Sequence, residues 1–291
     1  MSSSASSVGL GITTKDRWDD LAVTLDHLKA TGLDTLETVV MDDGSQTPMP
    51  ADFRVRFPWV KFERVETSRG LIAQRNYLAT RLDTPFYLSL DDDSFPIAGS
   101  LDAAADWLEA HPKVSVIGFR IILKADAVPA DFSSQVPVPT RDFTGCGFLL
   151  RRDLFLSLGG FEERFHIYCE EMEYSLRTYR LGYETYFFPA LVIRHMLSSS
   201  GRLAKPRAYM LIRNHVLTAL WFYPFPYSFV WGIWWSLIKV PFPGKKTLDD
   251  RCNILFGGLK GWWLFCRWTG KQRLSHAQFR AWRGKPFLAS L

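Results

Sequence analysis

The chain begins as a regular alternation of short apolar runs and amphipathic stretches. Val8-Gly9-Leu10-Gly11-Ile12-Thr13 reads as a buried strand, and the polar Thr14-Lys15-Asp16-Arg17 as the turn after it. Trp18, Leu21, Ala22, Leu25 and Leu28 then recur at helical spacing, which predicts a helix closed by Gly32. The beat repeats: residues 35–41 form a predicted second strand ending in Asp42-Asp43-Gly44-Ser45, and residues 59–64 a third. Gly70 precedes a helix carrying Leu71, Ile72, Tyr77, Leu78 and Leu82. Residues 86–90 are a fourth strand that runs straight into Asp91-Asp92-Asp93-Ser94. Residues 101–110 are a helix, and 114–119 a fifth strand.

Strands alternating with helices predict an α/β fold: a mostly parallel, Rossmann-like sheet with helices on both faces. In such sheets ligands bind beyond the carboxyl ends of the strands. Three polar turns fall there, at 14–17, 42–45 and 91–93. Three adjacent carboxylates repel one another, and a divalent cation held by their oxygens would remove that cost. A solvated acidic turn capping a helix is the plainer reading of the same residues, and ordinary turn chemistry also accounts for 42–45.

The second half carries another constellation. Thr144-Gly145-Cys146-Gly147-Phe148 is a glycine-rich approach to a strand, and Gly159-Gly160-Phe161 is a turn. Glu170-Glu171-Met172-Glu173 opens a helix that runs to a Gly182 cap. Carboxylates in a first turn complement the helix dipole, and one of them could also act as a general base. Residues 183–188 predict a strand, followed by an isolated His195, a residue type that more often hydrogen-bonds within a fold than ligates a metal.

Charge divides the chain. Its 291 residues carry a net +5, yet residues 201–291 hold 15 Lys and Arg against Asp249 and Asp250 alone, which leaves the body at −8. Eight of the 11 tryptophans also lie in that tail. The expected organisation is therefore a polar N-terminus (1–7), a catalytic α/β domain (8–200) and a helical, aromatic, basic region (201–291). Residues 216–238 contain no formal charge, but Pro224 and Pro226 split them into pieces too short to cross a bilayer. Aromatic helices lying in a membrane interface are the expectation, with packing on the catalytic domain or a homo-oligomer contact as the alternatives. No nucleic-acid motif accompanies the basic tail. The polar N-terminus lacks the pattern of a secretory leader, and four cysteines without paired spacing fit a reducing, cytoplasmic setting.

Taken in order, nine short stretches resemble the family 2 glycosyltransferases of the GT-A fold over about residues 8–196. They are Thr14-Lys15-Asp16-Arg17, Val40-Met41-Asp42-Asp43-Gly44-Ser45, residues 70–76, Leu90-Asp91-Asp92-Asp93, Gly145-Cys146-Gly147-Phe148, residues 159–163, Glu170-Glu171-Met172-Glu173 with Arg177, Gly182-Tyr183 and Arg194-His195. The rhamnosyl- and galactofuranosyltransferase-like branches look nearest.

The resemblance implies an inverting transfer of a sugar, from a nucleoside diphosphate donor such as a UDP- or dTDP-sugar to a lipid-linked or polysaccharide acceptor. By matching position, Asp42 would contact the base, with Thr14, Arg17 and Arg75 nearby. Asp91 and Asp93 take the outer places of the Asp-x-Asp motif, binding Mg²⁺ or Mn²⁺ and the ribose, and His195 would complete the metal site. The family usually opens its second-half helix with Glu-Asp, whose second residue is the base. Here the pair is Glu170-Glu171, so Glu171 is the expected base and Glu170 the fallback. A peripheral enzyme on the inner face of a membrane is the expected setting. A nucleotidyltransferase, or a non-catalytic nucleotide- or carbohydrate-binding module, are the rival readings.

Overall fold

A computed structural model of the chain describes residues 7–197, 207–237, 248–268 and 273–288. Its first half follows the sequence pattern closely. Strand β1 (Val8–Thr14), helix α1 (Trp18–Ala30), β2 (Glu37–Asp42), the short α2 (Phe53–Arg56), β3 (Val60–Arg64), α3 (Leu71–Thr80) and β4 (Phe86–Asp91) alternate as the apolar periods require. These four strands pair in parallel, in the order β3-β2-β1-β4.

The second half is mixed. It comprises β5 (Ser94–Ala98), α4 (Leu101–Ala110), β6 (Val114–Leu123), β7 (Val138–Thr140), β8 (Gly147–Arg151), α5 (Arg152–Ser157), α6 (Glu170–Arg180) and β9 (Glu184–His195). The sheet continues from β4 through β8, β6 and β9 to β5, with β7 also on β9. Only β6 and β9 pair in parallel there; β8, β5 and β7 run antiparallel to their neighbours. Parallel order thus holds in the half built from βαβ units. It fails where the connections no longer make a helical crossover.

Two differences from the sequence pattern bear on function. Strand β5 follows the acidic turn at once, in a stretch for which the sequence pattern predicts no strand. Its Pro96 is tolerated because β5 is an edge strand. Strand β9 continues past residue 188 to His195, with a register shift against β6 between Phe119 and Arg120. That extension delivers His195 to the acidic turn.

The sheet is covered on both faces. Period-2 alternation sends Val40 to one side and Val39 and Met41 to the other. The first face packs on Leu21, Leu25 and Leu28 of α1 and on Leu101, Ala104 and Leu108 of α4. The second packs on α3, α5 and α6, and then on the tail, through Leu217, Trp221, Phe222, Phe279 and Trp282.

The tail comprises α7 (Arg207–Phe222), α8 (Tyr227–Leu237), α9 (Leu248–Arg267) and α10 (His276–Arg283). Helices α7 and α10 belong to the core of the α/β body. Phe165 stacks on Trp221 at 5.7 Å, and Lys285, just beyond α10, pairs with Glu184 at 2.5 Å. The change of composition near residue 200 therefore marks a change of chemistry without a break in the core. Among the described residues no helix is long and apolar enough to cross a membrane.

Candidate active site

Strand register aligns the polar groups along one edge of the sheet. Asp42 lies opposite Thr14 on one side and Arg64 on the other, and Thr13 lies opposite Asp91. All of them stand at carboxyl ends of parallel strands, where such sheets form their crevice.

The two aspartates of the second turn do different work. Asp43 accepts bonds from Ser68 Oγ (2.6 Å), Gln74 Nε2 (2.6 Å) and the backbone N–H groups of Arg69 (2.7 Å) and Gly70 (3.0 Å). Burial alone would raise this carboxyl, but those four donors hold it below its ordinary value. Asp43 therefore ties the turn to the start of α3. Asp42 accepts from the Ser45 backbone and hydroxyl on one oxygen and from Arg64 (2.6 Å) on the other. It forms part of the wall of a cavity of about 300 Å³, together with Trp18, Met49, Phe62 and Arg64. Arg64 is a residue the motif reading missed; its place opposite Asp42 at the end of the third predicted strand was the available clue.

The acidic triplet is not three equivalent charges. Asp92 is buried and faces inward, accepting the Thr14 hydroxyl (2.8 Å) and pairing with Arg17 (2.7 Å). Burial pushes its carboxyl up to about 8, against the pull of Arg17 and Thr14. Asp93 pairs with the other Arg17 nitrogen (2.7 Å) and lies 3.2 Å from His195 Nε2. Burial would raise Asp93 as well, but the His195 hydrogen bond and the Arg17 charge outweigh it and hold this carboxyl well below the usual range. Asp91 is a quarter exposed and pairs with Arg75 at 2.7 Å.

His195 reaches this turn through the β5–β9 pairing, which sets it opposite Ser94, and the Met196 N–H adds a bond to the Asp93 carbonyl (2.9 Å). Asp91, Asp93 and His195 offer ligand atoms that all lie within 4.8 Å of one another. Two carboxylates and an imidazole form a donor set that Mn²⁺ and Mg²⁺ accept, and the nitrogen favours Mn²⁺ of the two.

Arg75 joins this turn to the second half. One guanidinium reaches Asp91 (2.7 Å), Glu170 (3.2 Å) and the Gly145 carbonyl (2.6 Å) while itself only 2% exposed. Thr14 and Arg75, expected near the nucleotide, both bond to carboxylates of the acidic turn, Thr14 to Asp92 and Arg75 to Asp91. Arg17 is likewise engaged with Asp92, Asp93 and Asp20.

The glutamate pair opens α6 after a constrained approach. His166, Tyr168 and Cys169 all hold positive φ, a conformation that costs a side chain energy and clusters at functional sites. The Asn214 amide of α7 faces the carbonyls of Phe165, Ile167 and Tyr168 at 2.8–3.1 Å, which holds that loop in place. Glu170 is buried on Arg75, whereas Glu171 keeps partial exposure. Both carboxyls are raised, first by burial; for Glu171 the adjacent Glu170 charge adds to the effect, and Arg75 opposes it in both. A Cβ on Gly145 would come within 2.5 Å of Glu171 Oε1 and 2.9 Å of an Arg75 nitrogen, so a larger residue there would displace the ends of both side chains.

The profile described as glycosyl transferase family 2 matches residues 10–159. No curated protein matches the sequence. Among solved structures, GalNAc-T7 with UDP, GalNAc and Mn²⁺ is similar with a TM-score of 0.61 at 14% identity, over 89% of this chain and 56% of that one. Mannosyltransferase PcManGT from Pyrobaculum calidifontis, in complex with GDP-Man and Mn²⁺, has a TM-score of 0.54 at 16% identity, over 99% of this chain and 78% of that one. S. aureus TarS 1-349 in complex with UDP-GlcNAc has a TM-score of 0.54 at 14% identity, over 89% and 73%. At such identities the likeness is one of fold. The chain spans little more than half the length of the first of these proteins.

Proposed function

Because the chain belongs to glycosyl transferase family 2, we propose that it moves a sugar from a nucleoside diphosphate donor to an acceptor hydroxyl, with inversion at the anomeric carbon. The observation that carries this reading is the Arg75 bridge. It ties the candidate metal turn, through Asp91, to Glu170, the neighbour of the candidate base Glu171, in a site assembled from both halves of the sheet.

The roles follow from position. The cavity beside Asp42 has aromatic and apolar wall residues, Trp18, Met49 and Phe62 among them, beside polar ones that include Asp42, Gln46 and Arg64, a composition suited to a planar nucleobase with hydrogen-bonding edges. Asp91 and Asp93, with His195, would hold Mn²⁺ or Mg²⁺ against the diphosphate. When bound, the ion supplies positive charge where the leaving oxygens become negative. Glu171 takes the proton from the acceptor hydroxyl, whose oxygen then bonds to the anomeric carbon as the bond from that carbon to the diphosphate oxygen breaks. Glu170, held by Arg75, is a positioning residue. Its charge helps keep Glu171 basic.

The donor class extends the resemblance and is that of a UDP- or dTDP-sugar carrying a hexosyl or deoxyhexosyl group. Calorimetry with a panel of nucleotide sugars tests it. Binding of at least one member is expected to tighten with Mn²⁺. If the whole panel fails to bind, with and without the metal, the reading falls.

We further propose a peripheral place on a membrane, which a separate observation supports. Helices α8 and α9 expose Phe229, Val230, Ile233, Leu237, Phe256 and Leu259, with Leu237 67% and Phe256 60% exposed. Lys260 and Arg267 flank Trp263 on the same helix, at 3.7 and 4.2 Å from its ring. Apolar side chains beside amphipathic cations suit an anionic lipid surface and a lipid-linked acceptor. Sedimentation with vesicles containing phosphatidylglycerol should carry the protein down at low salt and release it at high salt. Protein left in the supernatant at every salt concentration would remove this part of the account.

A further inference from the structure

A second cavity, of about 500 Å³, opens between the catalytic body and the tail. Arg69, Arg164, His166, Arg213 and Lys260 line it, with Glu163 as the sole carboxylate among the lining residues. It shares none of its lining with the cavity beside Asp42. It is walled by the loop that runs into Glu170 and Glu171, by the residue before Gly70 at the start of α3, and by α7 and α9.

The cations differ in how they are compensated. Arg164 is neutralised by Glu162, with two contacts of 2.6 Å. Arg69 and Lys260 have no carboxylate partner among the described residues; Lys260 only rests on the Trp263 ring. Arg213 is the informative one. It is 6% exposed, and its hydrogen bonds among the described residues go to the Asn214 side chain and to the Arg164 and Phe165 carbonyls, all neutral groups. A buried guanidinium without an anion is costly, and carbonyls compensate it only in part. Burial lowers its affinity for the proton in agreement with that environment. Three cations without a carboxylate partner among the described residues match the charge of a diphosphate, and arginine donors match its oxygens.

We propose that this cleft binds a phosphate or diphosphate ester carried by the acceptor, and so holds the acceptor beside the glutamate pair. The proposal rests on the glycosyl-transfer reading for the word acceptor, and on the cleft alone for the anion. No bond to phosphate is made or broken there. The loop from Glu163 to Cys169 forms one wall and then leads into Glu170, so an anion seated in the cleft also bears on the placement of the base.

The test is titration of the full chain with inorganic pyrophosphate in EDTA, where no metal-borne site contributes. Binding is expected. Arg69→Gln and Lys260→Gln should each weaken it about tenfold, and Asp93→Ala should leave it unchanged. The two cleft substitutions come from separate elements, so one local folding defect cannot imitate the pattern. Absence of binding, binding that survives both cleft substitutions, or binding lost in Asp93→Ala would each overturn the proposal. A second arm uses phosphatidylcholine vesicles with and without phosphatidate, to separate a lipid-borne phosphate from a soluble one. Sensitivity of both arms to the two substitutions supports a lipid-borne ester, and sensitivity of the pyrophosphate arm alone supports a soluble one. Sensitivity of the vesicle arm alone would assign these cations to a membrane surface and overturn the cleft. Failure of the glycosyl-transfer reading would show itself elsewhere, as nucleotide sugars that do not bind with Mn²⁺ while pyrophosphate still does.

Discussion

Asp93→Ala should abolish tight Mn²⁺ binding and cut metal-dependent cleavage of a nucleotide sugar by about a thousandfold. Asp93 is the most constrained of the three candidate ligands. It is 2% exposed, its oxygens lie 3.2 Å from His195 and 2.7 Å from Arg17, and its own carbonyl is tied to Met196. Removing the carboxylate leaves Asp91 and His195 as ligands and a buried guanidinium nitrogen beside them. That positive group opposes a divalent ion. The effect should therefore exceed that of His195→Ala, which removes one neutral ligand and leaves both charges in place. Mn²⁺ binding followed by electron paramagnetic resonance, alongside donor cleavage, checks both statements. Asp92→Asn should do far less, since Asp92 faces Thr14 and Arg17 beneath the turn.

Glu171→Gln should lower transfer by about 10²–10⁴-fold while donor and Mn²⁺ affinities hold, because general-base catalysis contributes on that scale. The pH dependence has a definite sign. Burial and Glu170 raise the Glu171 carboxyl above its ordinary value. A base works only when ionised, so transfer by the native protein should rise with pH through that raised value, and the Gln variant should lose this limb of the profile. Stability should run the other way. A carboxyl raised in the folded state favours folding at low pH and loses that contribution as pH climbs through the raised value. Glu171→Gln removes the charge altogether. The variant should therefore gain thermal stability relative to the native chain at pH 8 and gain nothing at pH 4. A loss of transfer with a gain in stability is the signature of a functional buried charge; a merely structural carboxylate would give a loss of both. Equal transfer by the two proteins would shift the base to Glu170.

What the sequence made legible was local. Strands β1 to β4 and their turns followed from apolar periodicity, and the acidic turn was visible because Asp91 to Asp93 interrupt that pattern at a strand end. The links between distant segments were not legible. Arg75 meets Glu170 across 95 residues, and Arg17 crosses from the first turn to Asp92 and Asp93. Neither pairing leaves a periodic trace. His195 stood alone in the sequence because β5 was hidden by Pro96, and only the β5–β9 pairing brings it to Asp93. The motif reading expected Thr14 and Arg75 at the nucleotide. Position along the chain said they were near the crevice, but could not say which way their polar atoms turned. The tail was read from composition as a separate unit. Its helices differ in how much they bury, α7 and α10 completing the core while α8 and α9 turn Phe229, Val230, Ile233, Leu237, Phe256 and Leu259 outward. Composition alone cannot separate these, because buried and exposed aromatics look the same in a count.

In the proposed reaction a metal at Asp91 and Asp93 serves glycosyl transfer from a nucleoside diphosphate sugar. Chromatographic identification of the nucleotide released from a panel of nucleotide sugars, with Mn²⁺ and with EDTA, tests it most directly. The account predicts a nucleoside diphosphate released with Mn²⁺, suppressed by EDTA and absent from Asp93→Ala. Release of a nucleoside monophosphate, or a diphosphate yield indifferent to EDTA and to Asp93, would contradict it.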